Sequence, residues 1–297
     1  MGTGCAVRCR ALSKDYGAGN GLFNLDLAIN EGETFGIVGP NGAGKSTFIK
    51  LLMDLIRPTN GTAEIFGLDA QHDSLELKRV IGYLPGELMQ FPGVTAGYIL
   101  DLLLNLRRIS DRKRLHELAQ RLELDLDRKY QDLSHGNKQK VGLIQAFMHD
   151  PKLLILDEPT LGLDPIIQRE VRNIISEFTA AGKTVILSSH IMSEVESICN
   201  RIGLINRGRI LRVGTLAELR SERMHKMTIV IKGAKPNESE LRSSGAVDIV
   251  FDGDSITFRM QGYVNPIISL LNKFEVEELD SRELSLEEVF FSEVSGA

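Results

Sequence analysis

Gly39-Pro40-Asn41-Gly42-Ala43-Gly44-Lys45-Ser46-Thr47 follows the short apolar run Thr34 to Val38. It precedes Phe48, Leu51, Leu52, Leu55 and Ile56, which fall on one helical stripe before Pro58. The nine residues satisfy GxxxxGK[ST], a pattern that gains its meaning from a strand before it and a helix after it. Glycines let the main chain wrap closely around phosphate oxygens with several N–H groups pointing inward. The helix that opens there adds the positive end of its dipole. Lys45 offers a point charge to β- and γ-phosphates, and Ser46 offers a hydroxyl to Mg²⁺.

Outward from this loop the same texture repeats. Leu153 to Leu156 and Thr184 to Leu187 are again short apolar runs bounded by Gly, Asp or Ser, as expected of strands buried on both faces of a parallel sheet. Asp164 can cap a helix with Pro165 at its first position. Ile167, Val171, Ile174, Ile175 and Phe178 then form its buried face. From about Gly86 to His149 the pattern is helix after helix, which predicts a helical subdomain inserted into the sheet domain. The expected fold is therefore α/β.

Two further stretches carry chemistry. Leu153-Leu154-Ile155-Leu156-Asp157-Glu158-Pro159 delivers two carboxylates to the carboxyl end of an interior strand, where ligands bind in open α/β sheets. Asp157 can hold Mg²⁺ through its waters, and Glu158 can orient and deprotonate an attacking water. In Leu133-Ser134-His135-Gly136-Asn137-Lys138-Gln139-Lys140, a Ser and a Gly stand at a helix start, a second place suited to an anion.

Phosphate loop, helical insert, Leu-Ser-x-Gly and Asp-Glu-Pro stand in the order of the ABC ATPase family, which this chain resembles from about Val7 to Ser221. The resemblance implies a P-loop NTPase sheet domain, ATP and Mg²⁺ as cofactors, and an ATP-hydrolysing subunit of an ABC transporter. It implies that Gly39, Pro40, Asn41, Gly42, Ala43, Gly44, Lys45, Ser46 and Thr47 bind the nucleotide. Ser46 and Asp157 serve the metal, and Glu158 is the base. Leu161-Gly162-Leu163-Asp164 looks like the family's D-loop. His190, in Ser188-Ser189-His190, looks like its switch histidine, and Tyr16 matches the aromatic that stacks on adenine. Ser134 and Gly136 then face the nucleotide of a second cassette, so the chain is expected to dimerise, as a homodimer, beneath a separate transmembrane permease subunit. That places it in the cytoplasm, peripheral on the inner face of the cell membrane, with a coupling helix docked near Gly86 to Asn105.

Two positions depart from the family pattern. Tyr83-Leu84-Pro85 is followed by Gly86-Glu87 where Gln is usual, so Glu87 becomes a candidate replacement ligand for the metal. His135 and Asn137 stand where Gly and Gln are usual.

Composition bounds the alternatives. The chain has 297 residues, 42% hydrophobic and 25% charged, without a run suited to a bilayer span or a secretory signal. Met227 onward holds six Lys and Arg against thirteen Asp and Glu, a balance of −7, while the first 226 residues balance at +2. Neither part has the basic excess of a nucleic-acid binder. A soluble ABC ATPase acting on nucleic acid or ribosome, and a regulator that binds nucleotide without hydrolysis, are the competing readings. Cys5, Cys9 and Cys199 form no CxxC pair, which fits a reduced compartment.

The expected domains are 1–221 and 227–297. The second reads as a small α+β domain in ferredoxin-like order. Its predicted elements are a strand Met227 to Ile231, a helix Asn237 to Arg242, strands Val247 to Phe251 and Ile256 to Met260 joined by Asp252-Gly253-Asp254, a helix Pro266 to Asn272, and a strand near Val276. Ser285-Leu286-Glu287-Glu288-Val289-Phe290 looks like the C-terminal extension of bacterial exporter-type ATPases.

Overall fold

The computed structural model describes residues 4–221, 224–261, 263–284 and 288. Apart from Glu288, the stretch 285–290 lies outside them. The chain divides into two compact units, Met1–Gly214 and Thr215–Ala297. This boundary falls earlier than the 221 expected from the sequence. Thr215 and Glu218 form a reciprocal cap, with Glu218 N–H donating to Thr215 Oγ1 (3.1 Å) and Thr215 N–H to Glu218 Oε2 (2.8 Å). A new helix, Leu216–Ser221, therefore starts where the last strand of the first unit stops.

The first unit is built on a six-stranded sheet. Its order is Arg209–Thr215, Arg201–Asn206, Thr34–Val38, Thr184–Ser189, Leu153–Asp157 and Ile81–Leu84. Thr34–Val38 pairs in parallel with strands on both sides, and Leu153–Asp157 does likewise. Strands enclosed on both faces have no solvated side to alternate with, which is why they read as continuous apolar runs. All five residues of each are buried. A second sheet, Asn20–Asn30, Cys5–Gly17, Asn60–Ile65 and Leu68–Asp69, is antiparallel throughout. Helix Lys45–Leu52 sends Phe48, Ile49, Leu51 and Leu52 into one core with residues of both sheets.

That helix stops at Leu52, with Asp54 in the left-handed region at φ 51°. The helical stripe expected to run on to Leu55 therefore breaks, and Leu55 is 53% exposed. Helix Pro165–Ala180 follows expectation: Asp164 caps it, Pro165 opens it, and Ile167, Val171, Ile174, Ile175 and Phe178 are buried. Between 86 and 149 lie helices Ala96–Leu106, Lys113–Arg121 and His135–Phe147, with a 3-10 turn at Tyr130–Asp132.

The second unit has a four-stranded antiparallel sheet ordered Ala246–Asp252, Ser255–Gln261, Met224–Lys232, Glu275–Glu283. With helices Glu238–Ser243 and Asn265–Leu271 the chain order is β-α-β-β-α-β, the split βαβ arrangement. Its own core holds Met227, Ile229, Ile231, Ile256 and Phe258 against Leu241, Ile267 and Leu271. Asn237 and Glu240 cap the first helix reciprocally. Among the described residues, Ala246–Asp252 is an edge strand. Its register with Ser255–Gln261 shifts between Val247 and Val250, where Asp248 takes φ 51°, and Val250 and Phe251 are exposed. No helix among the described residues is long and apolar enough to cross a membrane.

Candidate functional site

Register assembles the site. Val38 pairs with Ser189, and Asp157 with Ser188, so three adjacent parallel strands end side by side. The residues that follow them, the loop from Gly39, Glu158 and His190, leave the sheet at one end. This is the end at which open α/β sheets bind ligands.

At the loop, Gly44 caps the helix at φ 109°, a conformation that side chains with a Cβ rarely adopt. Lys45 is the first helical residue and its side chain is buried at 6% exposure. Its Nζ donates to Gly39 O at 2.7 Å and to Pro40 O at 3.3 Å, and lies 3.4 Å from Glu158 Oε1. The other carboxylate oxygen of Glu158, Oε2, lies 2.9 Å from His190 Nδ1. Lysine, carboxylate and imidazole thus form a contact series, contributed by the segments that follow three separate strands.

Glu158 itself sits at φ 51°, in the left-handed region that is unfavourable for a residue with a Cβ. Its N–H donates to Ser188 O (3.2 Å) and to Ser188 Oγ (3.1 Å), and the Ser188 hydroxyl in turn donates to Asp157 Oδ1. Ser188 therefore fixes both carboxylate residues. Nothing in the sequence distinguished it from an ordinary strand-end serine. Tyr83 lies near Asp157. Burial first, and the Asp157 charge second, push its phenol up to about 12, so it stays protonated at neutral pH.

A cavity of about 750 Å³ opens beside these groups. Tyr16, Asn41 to Thr47, Glu87, Asp157 and Glu158 line it, together with an apolar stretch that includes Leu88, Met89, Phe91, Ile99 and Leu103. Tyr16 is 55% exposed, leaving a ring face available. A Cβ at Gly86 would come within 2.9 Å of Asp157 Oδ2, so this loop brings its main chain close to the carboxylate, and a side chain there would require the carboxylate to shift. Glu87 is exposed at the same wall.

Ser134, Gly136 and Asp164 do not line this cavity. Ser134 is exposed and its Oγ accepts from Asn137 N–H (3.3 Å), capping helix His135–Phe147. Gly136 packs on the D-loop stretch: a Cβ there would lie 2.6 Å from Gly162 O. Asp164 accepts the Ile167 and Ile166 N–H groups at 3.0 Å each, which hold its carboxyl below the usual carboxylate range. These three residues gather around a second surface of the same unit. Burial pushes the Cys9 and Cys199 thiols up, so they stay protonated and act as core residues.

Comparison with known proteins sets this geometry in context. The family model for ABC transporter matches residues 22–161. The uncharacterized ABC transporter ATP-binding protein all4389 of Nostoc sp. is 39% identical over 67% of this chain, which spans 61% of that relative's length. The Nod factor export ATP-binding protein I of Rhizobium meliloti is 33% identical over 84% of this chain and 77% of its own. Among solved structures, the dimeric post-hydrolysis state of the ATP-binding cassette MJ0796, bound to ADP and Pi, superposes with a TM-score of 0.65. It is 28% identical, covering 71% of this chain and 98% of that one.

Proposed function

Because the chain belongs to the ABC transporter family of ATP-binding proteins, we propose that it binds and hydrolyses ATP to power export through a separate membrane subunit. The observation that carries this reading is the contact series Lys45–Glu158–His190 beside the cavity lined by the phosphate loop. The loop N–H groups and Lys45 bind the phosphates, and Tyr16 stacks on adenine. Glu158, gripped by Lys45 and His190, takes the proton of the attacking water.

Ser46 Oγ and the Asp157 carboxylate are hard oxygen donors, and no cluster of three His, Cys, Asp or Glu suited to a metal exists among the described residues. That donor set fits Mg²⁺, which binds through one or two carboxylates plus substrate phosphates rather than an all-protein cage. Mg²⁺ there would neutralise charge on the phosphate oxygens. Glu87 is a candidate for an additional contact.

Ser134 and Gly136 stand apart from the chain's own cavity and therefore serve the nucleotide of a second cassette. The dimeric cassette relative supports this. The apolar stretch of the cavity, with exposed Met89 and Tyr98 beside it, suits a coupling helix of the permease, placing the chain at the inner face of the membrane. Export rests on the Nod factor relative.

Light scattering after size exclusion tests the reading. Glu158→Gln is expected to be monomeric without nucleotide and dimeric with MgATP, and adding Ser134→Arg is expected to prevent the dimer. A Glu158→Gln variant that stays monomeric at saturating MgATP, alone and with a partner cassette, would overturn the reading.

A further inference from the structure

Glu158 needs its main chain held. A residue at φ 51° without a glycine's freedom costs on the order of 1 kcal/mol, which the contacts of its peptide must offset. On the amide side Ser188 supplies that hold, through its carbonyl and its hydroxyl. On the carbonyl side the hold comes from elsewhere. Gln139 Nε2 donates to Glu158 O at 3.0 Å and to Pro159 O at 3.3 Å, and the Leu161 N–H reaches Glu158 O at 3.3 Å. Gln139 is 3% exposed, and a buried amide with both donor contacts made is both rigid and costly to break.

Gln139 belongs to helix His135–Phe147, the helix that Ser134 caps. One buried side chain thus joins the Ser-x-Gly surface to the peptide that carries the carboxylate. We propose that Gln139 is a positioning residue for Glu158: it clamps the carbonyls of Glu158 and Pro159 and so transmits any displacement of the Ser134 helix to the carboxylate. The inference rests on the dimeric ATPase reading above. In that reading Ser134 serves the partner's nucleotide while Glu158 serves the chain's own. Gln139 is then the link by which filling one site adjusts the chemistry of the other.

The test uses the full chain with two substitutions. Gln139→Met keeps the side chain's length and buried volume but removes the donor. Turnover is expected to fall about tenfold, the equivalent of ~1.4 kcal/mol, with KM for ATP within about twofold of wild type. Amide hydrogen exchange across 158–161 should accelerate, while the melting temperature falls by only about 2–4 °C per kcal/mol of lost hydrogen bonding, leaving the chain folded at the assay temperature. Gln139→Glu restores a donor only when its carboxyl is protonated, and burial favours the neutral form. The ratio of its turnover to that of wild type is expected to rise between about pH 8 and pH 6.

A Gln139→Met variant with wild-type turnover and wild-type exchange at 158–161 would overturn the assignment. So would a loss that follows the melting temperature, together with a flat pH ratio for Gln139→Glu. A wild-type chain that fails to hydrolyse MgATP would refute the proposed function instead. The exchange measurement, which needs no turnover, would still decide whether Gln139 holds the Glu158 peptide.

Discussion

The two ends of helix-bearing loops in the first unit are built in opposite ways. At the phosphate loop, Lys45 is buried and the charged groups answer one another within the chain: Gly39 O and Pro40 O to Lys45, Glu158 to Lys45 and His190, Ser188 to Asp157 and Glu158. At Ser134 the hydroxyl is exposed and does nothing but cap its own helix, while Gly136 packs on Gly162 so closely that a side chain has no place. On the reading proposed above, the first is a preorganised half-site, with charge positioned before substrate arrives. The second offers small groups and helix N–H donors to something outside the chain. On the same reading, a surface of that kind gains its function when another phosphate loop lies against it.

The largest expected effect comes from removing the base at the first end. Glu158→Gln should lose about 10²- to 10⁴-fold in turnover, the usual worth of general-base assistance, with MgATP binding intact. Single-turnover hydrolysis measures it, and turnover at the wild-type rate would dissolve the distinction between a chemical end and a docking end.

Next is Lys45→Ala. A charge-assisted contact to phosphate is worth ~1.5–3 kcal/mol, so affinity for a fluorescent ATP analogue should weaken about a hundredfold. Affinity within about twofold of wild type would mean that the buried lysine answers only the chain's own carbonyls.

A third test lies at the far end of the Ser134 helix. Burial, and then the Arg107 charge, hold His149 down at about 4 from a usual 6.5, although Asp150 and the Ile81 carbonyl pull the other way. Since the folded value is depressed, its contribution is complete above pH 6.5 and is lost as pH falls toward 4. His149→Leu should flatten the acid limb of stability by about 2 kcal/mol in denaturant melts. Identical acid limbs would show that this helix end titrates freely.

The smallest effect belongs to Glu87→Ala, expected to lower turnover severalfold at saturating MgATP with affinity nearly unchanged. An unaltered rate would make Glu87 a solvated loop acid and leave the half-site complete without it.

Much of the phosphate-loop end was legible because its determinants are local: a glycine pattern between a buried strand and a helix, and two carboxylates closing an apolar run. The antiparallel sheet escaped notice because Cys5–Gly17 is broken by register shifts and by Ala11 at φ 46°, which blur a period of two. Ile81–Leu84 is only four residues, too short to stand out before a helical stretch. Leu55 misled because apolar spacing continues past the point where Asp54 ends the helix. In the second unit the strand and helix order was readable, since each helix has a cap residue or a Pro at its start and Gly253 turns the hairpin. Gln139 and Ser188 were invisible for a different reason. Their partners lie 19 to 31 residues away along the chain, and only folding makes a glutamine in a polar helix into a clamp.

The irregular edge strand of the second unit has a consequence for crowding. Among the described residues, Ala246–Asp252 leaves one row of main-chain groups without a neighbouring strand, beside exposed Val250 and Phe251. Such a row is a template on which another molecule's strand can grow, and from there a fibre. The irregular register at Asp248 interrupts the row, and the Asp248 carboxylate is paired with the Arg259 guanidinium of the adjacent strand. An intruder finds two short ladders out of step in place of one long one. The kink thus shortens the continuous ladder that a second molecule could extend.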